Sequence, residues 1–109
     1  MIDFKALALL YFETFSRKDL DGLARLFTAN PTLRDWTGSS EGLDNVLAAN
    51  KSIFDAVETI VVAPLAVYQD GSTVVAEIEV LINSSETLLV VDVITFEDDK
   101  ISSVRAYKG

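Results

Sequence analysis

Apolar residues recur with a helical period along the first half of the chain and with a two-residue period along the second. Phe4, Leu7, Ala8, Tyr11 and Phe15 form one stripe between Asp3 and Ser16, which predicts an amphipathic first helix with Tyr11 on its buried side. Asp19 offers a side-chain oxygen to the free amides of the following turn, so a second, shorter helix is expected from Leu20 to Phe27. Asn30-Pro31 should stop it, because the residue before a proline avoids helical backbone; Thr32 to Trp36 then reads as a short strand closed by Thr37-Gly38-Ser39-Ser40. A third helix is expected over Glu41 to Val57, started by Ser40 or a neighbour, with Val46, Leu47, Asn50, Ile53, Phe54 and Val57 facing inward.

From Thr59 onward the pattern is that of strands. Segments 59–69, 73–83, 87–97 and 100–108 are rich in Val, Ile, Leu and Thr, and Asp70-Gly71, Asn83-Ser84-Ser85 and Asp98-Asp99 separate them as hairpin turns. Pro64 cannot donate to a ladder, which marks the first of these strands as an edge or a bulge. Helices first and an antiparallel meander later predict an α+β fold, with three N-terminal helices packed on one face of a curved antiparallel sheet and residues 1–109 forming a single domain.

One strand carries an anomaly. In Leu88-Leu89-Val90-Val91-Asp92-Val93-Ile94-Thr95-Phe96, the side chains of Leu88, Val90, Asp92, Ile94 and Phe96 point one way and those of Leu89, Val91, Val93 and Thr95 the other. Both faces are apolar, so one is expected to meet the helices around an interior cavity and the other a second copy of the chain, giving a homodimer through the sheet. A lone carboxylate in such a run must be neutral, paired or near water, because desolvating an unpartnered charge costs more than a domain tolerates.

Composition narrows the chemistry. The hydrophobic fraction of 50% supports a real core in 109 residues, and 17 acidic against 9 basic residues, scattered rather than clustered, give a net charge of -8 and no footprint for nucleic acid. With no cysteine and no histidine, thiolate and Ser-His or Cys-His nucleophiles and thiolate or imidazole metal sites are ruled out. Catalysis is left to carboxyls, tyrosine, lysine or backbone. The opening MIDFKALALLYF lacks a basic lead-in and is too short in its apolar run to cross a bilayer, so a cytoplasmic protein without membrane contact is expected.

Three side chains stand out: Asp92 in its apolar strand, Tyr11 on the first helical stripe, and Asp35 near the end of the short strand. Each also has a purely structural explanation. Tyr11 can be a core aromatic and Asp35 a solvated strand-end carboxylate answering Arg34, whereas a buried Asp92 calls for a specific bond or a function. Glu77 and Glu79 share one face of a strand, a pairing read here as a solvated surface rather than an acid and base.

The stretch Tyr11-Phe-Glu-Thr-Phe-Ser-Arg-Lys-Asp-Leu-Asp-Gly-Leu-Ala-Arg-Leu-Phe27, with Thr32-Leu-Arg-Asp-Trp-Thr-Gly38, resembles the opening of the bacterial ketosteroid isomerases, within the nuclear-transport-factor-2-like (NTF2-like) and SnoaL-like superfamily. Val91-Asp-Val-Ile-Thr-Phe96 and Lys100-Ile-Ser-Ser-Val-Arg-Ala-Tyr107 resemble its last two strands. The resemblance implies a cystatin-like cone and a cofactor-independent isomerase without metal, acting on a small hydrophobic carbonyl compound. Asp35 falls on the family's general base, in the context Asp35-Trp36-Thr37-Gly38; Tyr11 and Asp92 fall on its two oxyanion-hole donors. Ketosteroid isomerase is itself the standard example of an aspartic acid kept neutral by an apolar site.

Trp36, Asn50, Phe54, Val90 and Ile94 are the expected pocket wall. Asn50 stands where the family often has a tyrosine supporting the oxyanion tyrosine, and Trp36 replaces the usual proline after the base. The same resemblance allows a SnoaL-like cyclase or hydratase, or a non-catalytic small-ligand-binding module.

Overall fold

The computed structural model describes residues 1–109. In chain order the elements are α1 (Phe4–Ser16), α2 (Leu20–Leu26), β1 (Phe27–Asp35), β2 (Gly38–Glu41), α3 (Leu43–Ala56), β3 (Ile60–Asp70), β4 (Thr73–Ile82), β5 (Glu86–Glu97) and β6 (Lys100–Lys108). None of the helices is long and apolar enough to cross a membrane.

Local capping sets the helical starts. Asp3 Oδ1 accepts from the Ala6 amide at 3.0 Å and Asp19 Oδ1 from the Gly22 amide at 2.9 Å, each supplying an acceptor to the first turn. The end of α1 is a Schellman motif: the Lys18 amide donates to the Phe15 carbonyl and the Asp19 amide to the Thr14 carbonyl, with Lys18 at φ 54°. Lysine is an unusual occupant of that left-handed position, where glycine is commoner. Its ammonium reaches the last carbonyls of α3 and beyond, donating to Phe54 O at 2.9 Å and Val57 O at 2.5 Å, so one residue closes two helices.

The segment after α2 departs from the sequence expectation. No loop precedes the strand: Phe27 is already extended and β1 runs through Asn30-Pro31 to Asp35. The parallel ladder between β1 and β6 shifts register between Phe27 and Thr32, the interval that contains Pro31, where a missing N–H breaks no regular bond. Ser39 and Ser40, read as part of the closing loop, lie in β2, a hairpin partner of β1 with Asp35 opposite Gly38. With Ser40 committed to that strand, α3 starts instead at Gly42, whose φ of 89° favours glycine and which provides no side-chain cap.

The sheet has six strands in the order β2-β1-β6-β5-β4-β3. From β3 to β6 it is the expected antiparallel meander, but β1 pairs with β6 in parallel, Leu33 opposite Val104, so the sheet is mixed rather than wholly antiparallel. Pro64 lies on the β3 edge, and the ladder to β4 shifts register between Pro64 and Ala66. On β5 the alternation is as expected: Val90, Asp92, Ile94 and Phe96 are buried, and Leu89, Val91, Val93 and Thr95 lie on the opposite, more open face. Ala8, Tyr11 and Phe12 of α1 and Val46, Asn50 and Phe54 of α3 are buried under the helices, with Phe4 stacking on Phe96 at 5.1 Å to close one end of the core.

Candidate active site

At the other end of the inner face the core does not close. A cavity of about 210 Å³ opens there, lined by 19 residues of which 15 are hydrophobic. The cross-strand neighbours of Asp92 help explain the space: it lies opposite Ala76 on β4 and Ala106 on β6, and directly opposed residues share a face. The Ala106 methyl on the cavity wall beside the carboxyl leaves room that Ile94, flanked by Val74 and Val104, does not have.

Tyr11, Asp35 and Asp92, carried by α1, β1 and β5, all line this one cavity. Tyr11 is only 4% exposed and is held by aromatic neighbours, with ring centroids 5.7 Å from Phe12, 6.2 Å from Phe15 and 6.0 Å from Phe27. Asp92 is 7% exposed. No side-chain hydrogen bond of the protein engages the Tyr11 hydroxyl or the Asp92 carboxyl, so neither is committed to ordering the core.

Burial without a cationic partner pushes the Asp92 carboxyl up to about 7, so near neutrality a large share of it carries a proton and can donate. Burial, and secondarily the charge of Asp92, raises the Tyr11 phenol well above its ordinary value. It stays a donor across the working pH range.

Asp35 sits differently. It is half-buried at the β1–β2 turn, where Oδ1 accepts from the Thr37 amide at 2.8 Å, the Thr37 hydroxyl at 2.6 Å and the Gly38 amide at 3.1 Å. Its second oxygen has no protein partner, and Arg34, the neighbour that would answer it, forms no ion pair. The carboxylate is therefore fixed by one oxygen and free at the other, a geometry suited to proton transfer from a bound guest.

Of the expected pocket wall, Trp36, Asn50 and Val90 line the cavity and Phe54 and Ile94 do not. Phe54 points to the aromatic packing under α1, edge-on to Phe15 at 4.9 Å, and Ile94 is fully buried one pleat deeper toward Phe96. The wall instead includes Phe12 and Phe15 of α1, Val62 of β3, Ile78 and Val80 of β4, and Val104 and Ala106 of β6. Ala106, across from Asp92 and on the cavity wall, was the available signal for the hollow, but it becomes one only when the strand register is known. No group of three or more acidic side chains converges to hold a metal ion.

Helices folded over one face of a curved sheet, around a largely apolar hollow with a few polar groups at its wall, define an NTF2-like fold. The chain belongs to the SnoaL-like domain family, whose model matches residues 8–104. Among solved structures it is similar to an NTF2-like protein of unknown function from Cytophaga hutchinsonii (TM-score 0.84, 15% identity, 100% of this chain and 92% of that one). A candidate polyketide cyclase from Sinorhizobium meliloti has a TM-score of 0.84 at 20% identity over 93% of each chain. A candidate ketosteroid isomerase from Kribbella flavida has a TM-score of 0.82 at 18% identity, over 97% of this chain and 77% of that one. No curated protein sequence matches the chain.

Proposed function

We propose that the protein is a cofactor-independent isomerase that moves a double bond by removing a proton next to a carbonyl. The observation that supports it is the convergence of Tyr11, Asp92 and Asp35 on one largely apolar cavity, with a phenol and a carboxyl of raised pKa inside it and a fixed carboxylate at its turn. Tyr11 and Asp92 hydrogen-bond the guest's carbonyl oxygen and stabilise the enolate as charge develops there. The free oxygen of Asp35 takes the α-proton and returns it at the conjugated position. No step needs an atom from outside the guest and these three groups.

At about 210 Å³ the hollow falls below the ~300–1,000 Å³ of drug-sized ligand sites, which favours a compact one- or two-ring carbonyl compound over a full steroid. Mixing the protein with a small β,γ-unsaturated cyclic ketone and following the absorbance of the conjugated enone tests the assignment. Turnover should appear and fall at least about a hundredfold in Asp35→Asn; turnover at the uncatalysed rate in the unsubstituted protein rejects it.

The likeness to a candidate polyketide cyclase supports a second assignment, an intramolecular aldol closure that begins with the same α-proton abstraction. A linear polyketone that cyclises on the protein while the β,γ-enone stays unchanged selects it.

A further inference from the structure

Asn50 is the polar residue of the cavity wall that the chemistry above leaves unused. It lies on the inward stripe of α3, one turn from Val46 on one side and Phe54 on the other, and is 1% exposed. Its Nδ2 is a buried donor with no hydrogen-bond partner, and it is the one such side-chain atom in the protein. Buried donors are almost always satisfied, and an apolar side chain at this stripe position would avoid the desolvation altogether. The other polar groups of the wall are accounted for: Asp35 Oδ1 and the Thr37 hydroxyl bond each other, and Tyr11 and Asp92 are assigned to the carbonyl oxygen. Asn50 lines the cavity through its other amide atom, and a half-turn about the last side-chain bond exchanges Oδ1 and Nδ2, so either can face a guest.

We infer that Asn50 determines specificity by hydrogen-bonding a second oxygen of the guest, so that the ligand is a compact carbonyl compound bearing a further hydroxyl or carbonyl group. The inference rests on the assignment of Tyr11 and Asp92 as the site of the first oxygen. An amide offers both a donor and an acceptor, so it accommodates either kind of second oxygen. A site built to bond a guest's oxygen discriminates strongly against an analogue that lacks it, because its own buried group is then left unpaired.

The test uses matched pairs in which a methyl replaces one hydroxyl: catechol, resorcinol and hydroquinone against ortho-, meta- and para-cresol. Each is titrated into the protein and into Asn50→Leu and Asn50→Val, with Trp36 fluorescence as the readout and a thermal melt to verify folding. One diol should bind the unsubstituted protein about tenfold tighter than its cresol, and that ratio should fall to about one in either variant while cresol affinity is kept or improved. Diols no tighter than cresols, or a preference that survives in a folded variant, overturn the inference. A parallel loss of cresol and diol affinity also overturns it, since Asn50 would then act by holding Tyr11. Cresol binding that is indifferent to Tyr11→Phe and Asp92→Asn removes the first-oxygen assignment instead, and failure of every probe to bind the unsubstituted protein removes both.

Discussion

Asp92 and Tyr11 carry opposite consequences for stability and function, and each is separable by substitution. Burial raises the Asp92 carboxyl from its ordinary 3.8 to about 7, so between those values the native state holds a proton that the unfolded chain has released. Stability therefore falls as pH rises through that interval: the cost is absent below pH 3.8, grows to about 4 kcal/mol by pH 7 and is constant above it. Asp92→Asn removes the titration. Urea unfolding should show the variant more stable by a few kcal/mol at pH 8 and no more stable near pH 4, with turnover impaired at both. A variant destabilised at pH 8 would mean that the carboxylate is ionised and paired in the native protein. Tyr11→Phe deletes a hydroxyl that no protein group engages, so stability should change by less than about 1 kcal/mol while kcat drops about 10²- to 10³-fold, the usual loss for one oxyanion donor.

At the scale of elements, the helix and strand periods were legible because burial on one face imposes them directly on the sequence. The α1 stripe, the Asp19 cap, the inward face of α3 and the β3–β6 meander all follow from spacing. What did not follow has a common cause: it is decided by contacts between segments far apart in the chain. The early start of β1 depends on Phe27 packing against Tyr11, the short β2 on pairing with β1, and the parallel contact of β1 with β6 on a crossover that spans most of the chain. The same holds at the site, where Tyr11, Asp35 and Asp92 stood out as residues, yet the exclusion of Phe54 and Ile94 from the wall needed the packing of Phe54 on Phe15 and the pleat register.

Lys18 shows how much such contacts contribute. Its αL backbone favours glycine, but its ammonium bonds two carbonyls at the end of α3, 36 and 39 residues away. Lys18→Gly should relieve the backbone and lose the bonds, whereas Lys18→Ala loses the bonds and keeps the unfavourable φ. Chemical denaturation should rank stability as Lys18, then Gly, then Ala, with the two variants separated by about 1 kcal/mol and the alanine variant about 1–3 kcal/mol below the parent. An alanine variant as stable as the parent would mean that the two bonds contribute nothing.

For the whole molecule, the outer face of the sheet is the unpartnered surface. Leu89 and Tyr107 are 55% and 52% exposed there, around a shallow hollow that also includes Leu65 and Val91, and Val61 and Tyr68 of β3 are exposed as well. The cross-strand register places Glu77 and Glu79 of β4 on one side of β5 and Arg105 of β6 on the other, all facing outward. A two-fold axis running along β5 would lay the acidic strand of one copy over the basic strand of the next and bury Leu89 at the centre, so the face is self-complementary in charge as well as apolar. We propose that the chain forms a homodimer through this face, for which stable interfaces bury ~800 Å² per partner. Sedimentation velocity should give a dimer at micromolar concentration, and Leu89→Lys should return it to monomer with its melting temperature in dilute solution little changed. Glu77→Lys combined with Glu79→Lys should weaken the dimer, and adding Arg105→Glu should restore part of it. A monomer at every concentration, or a dimer indifferent to Leu89→Lys, places the contact elsewhere or removes it.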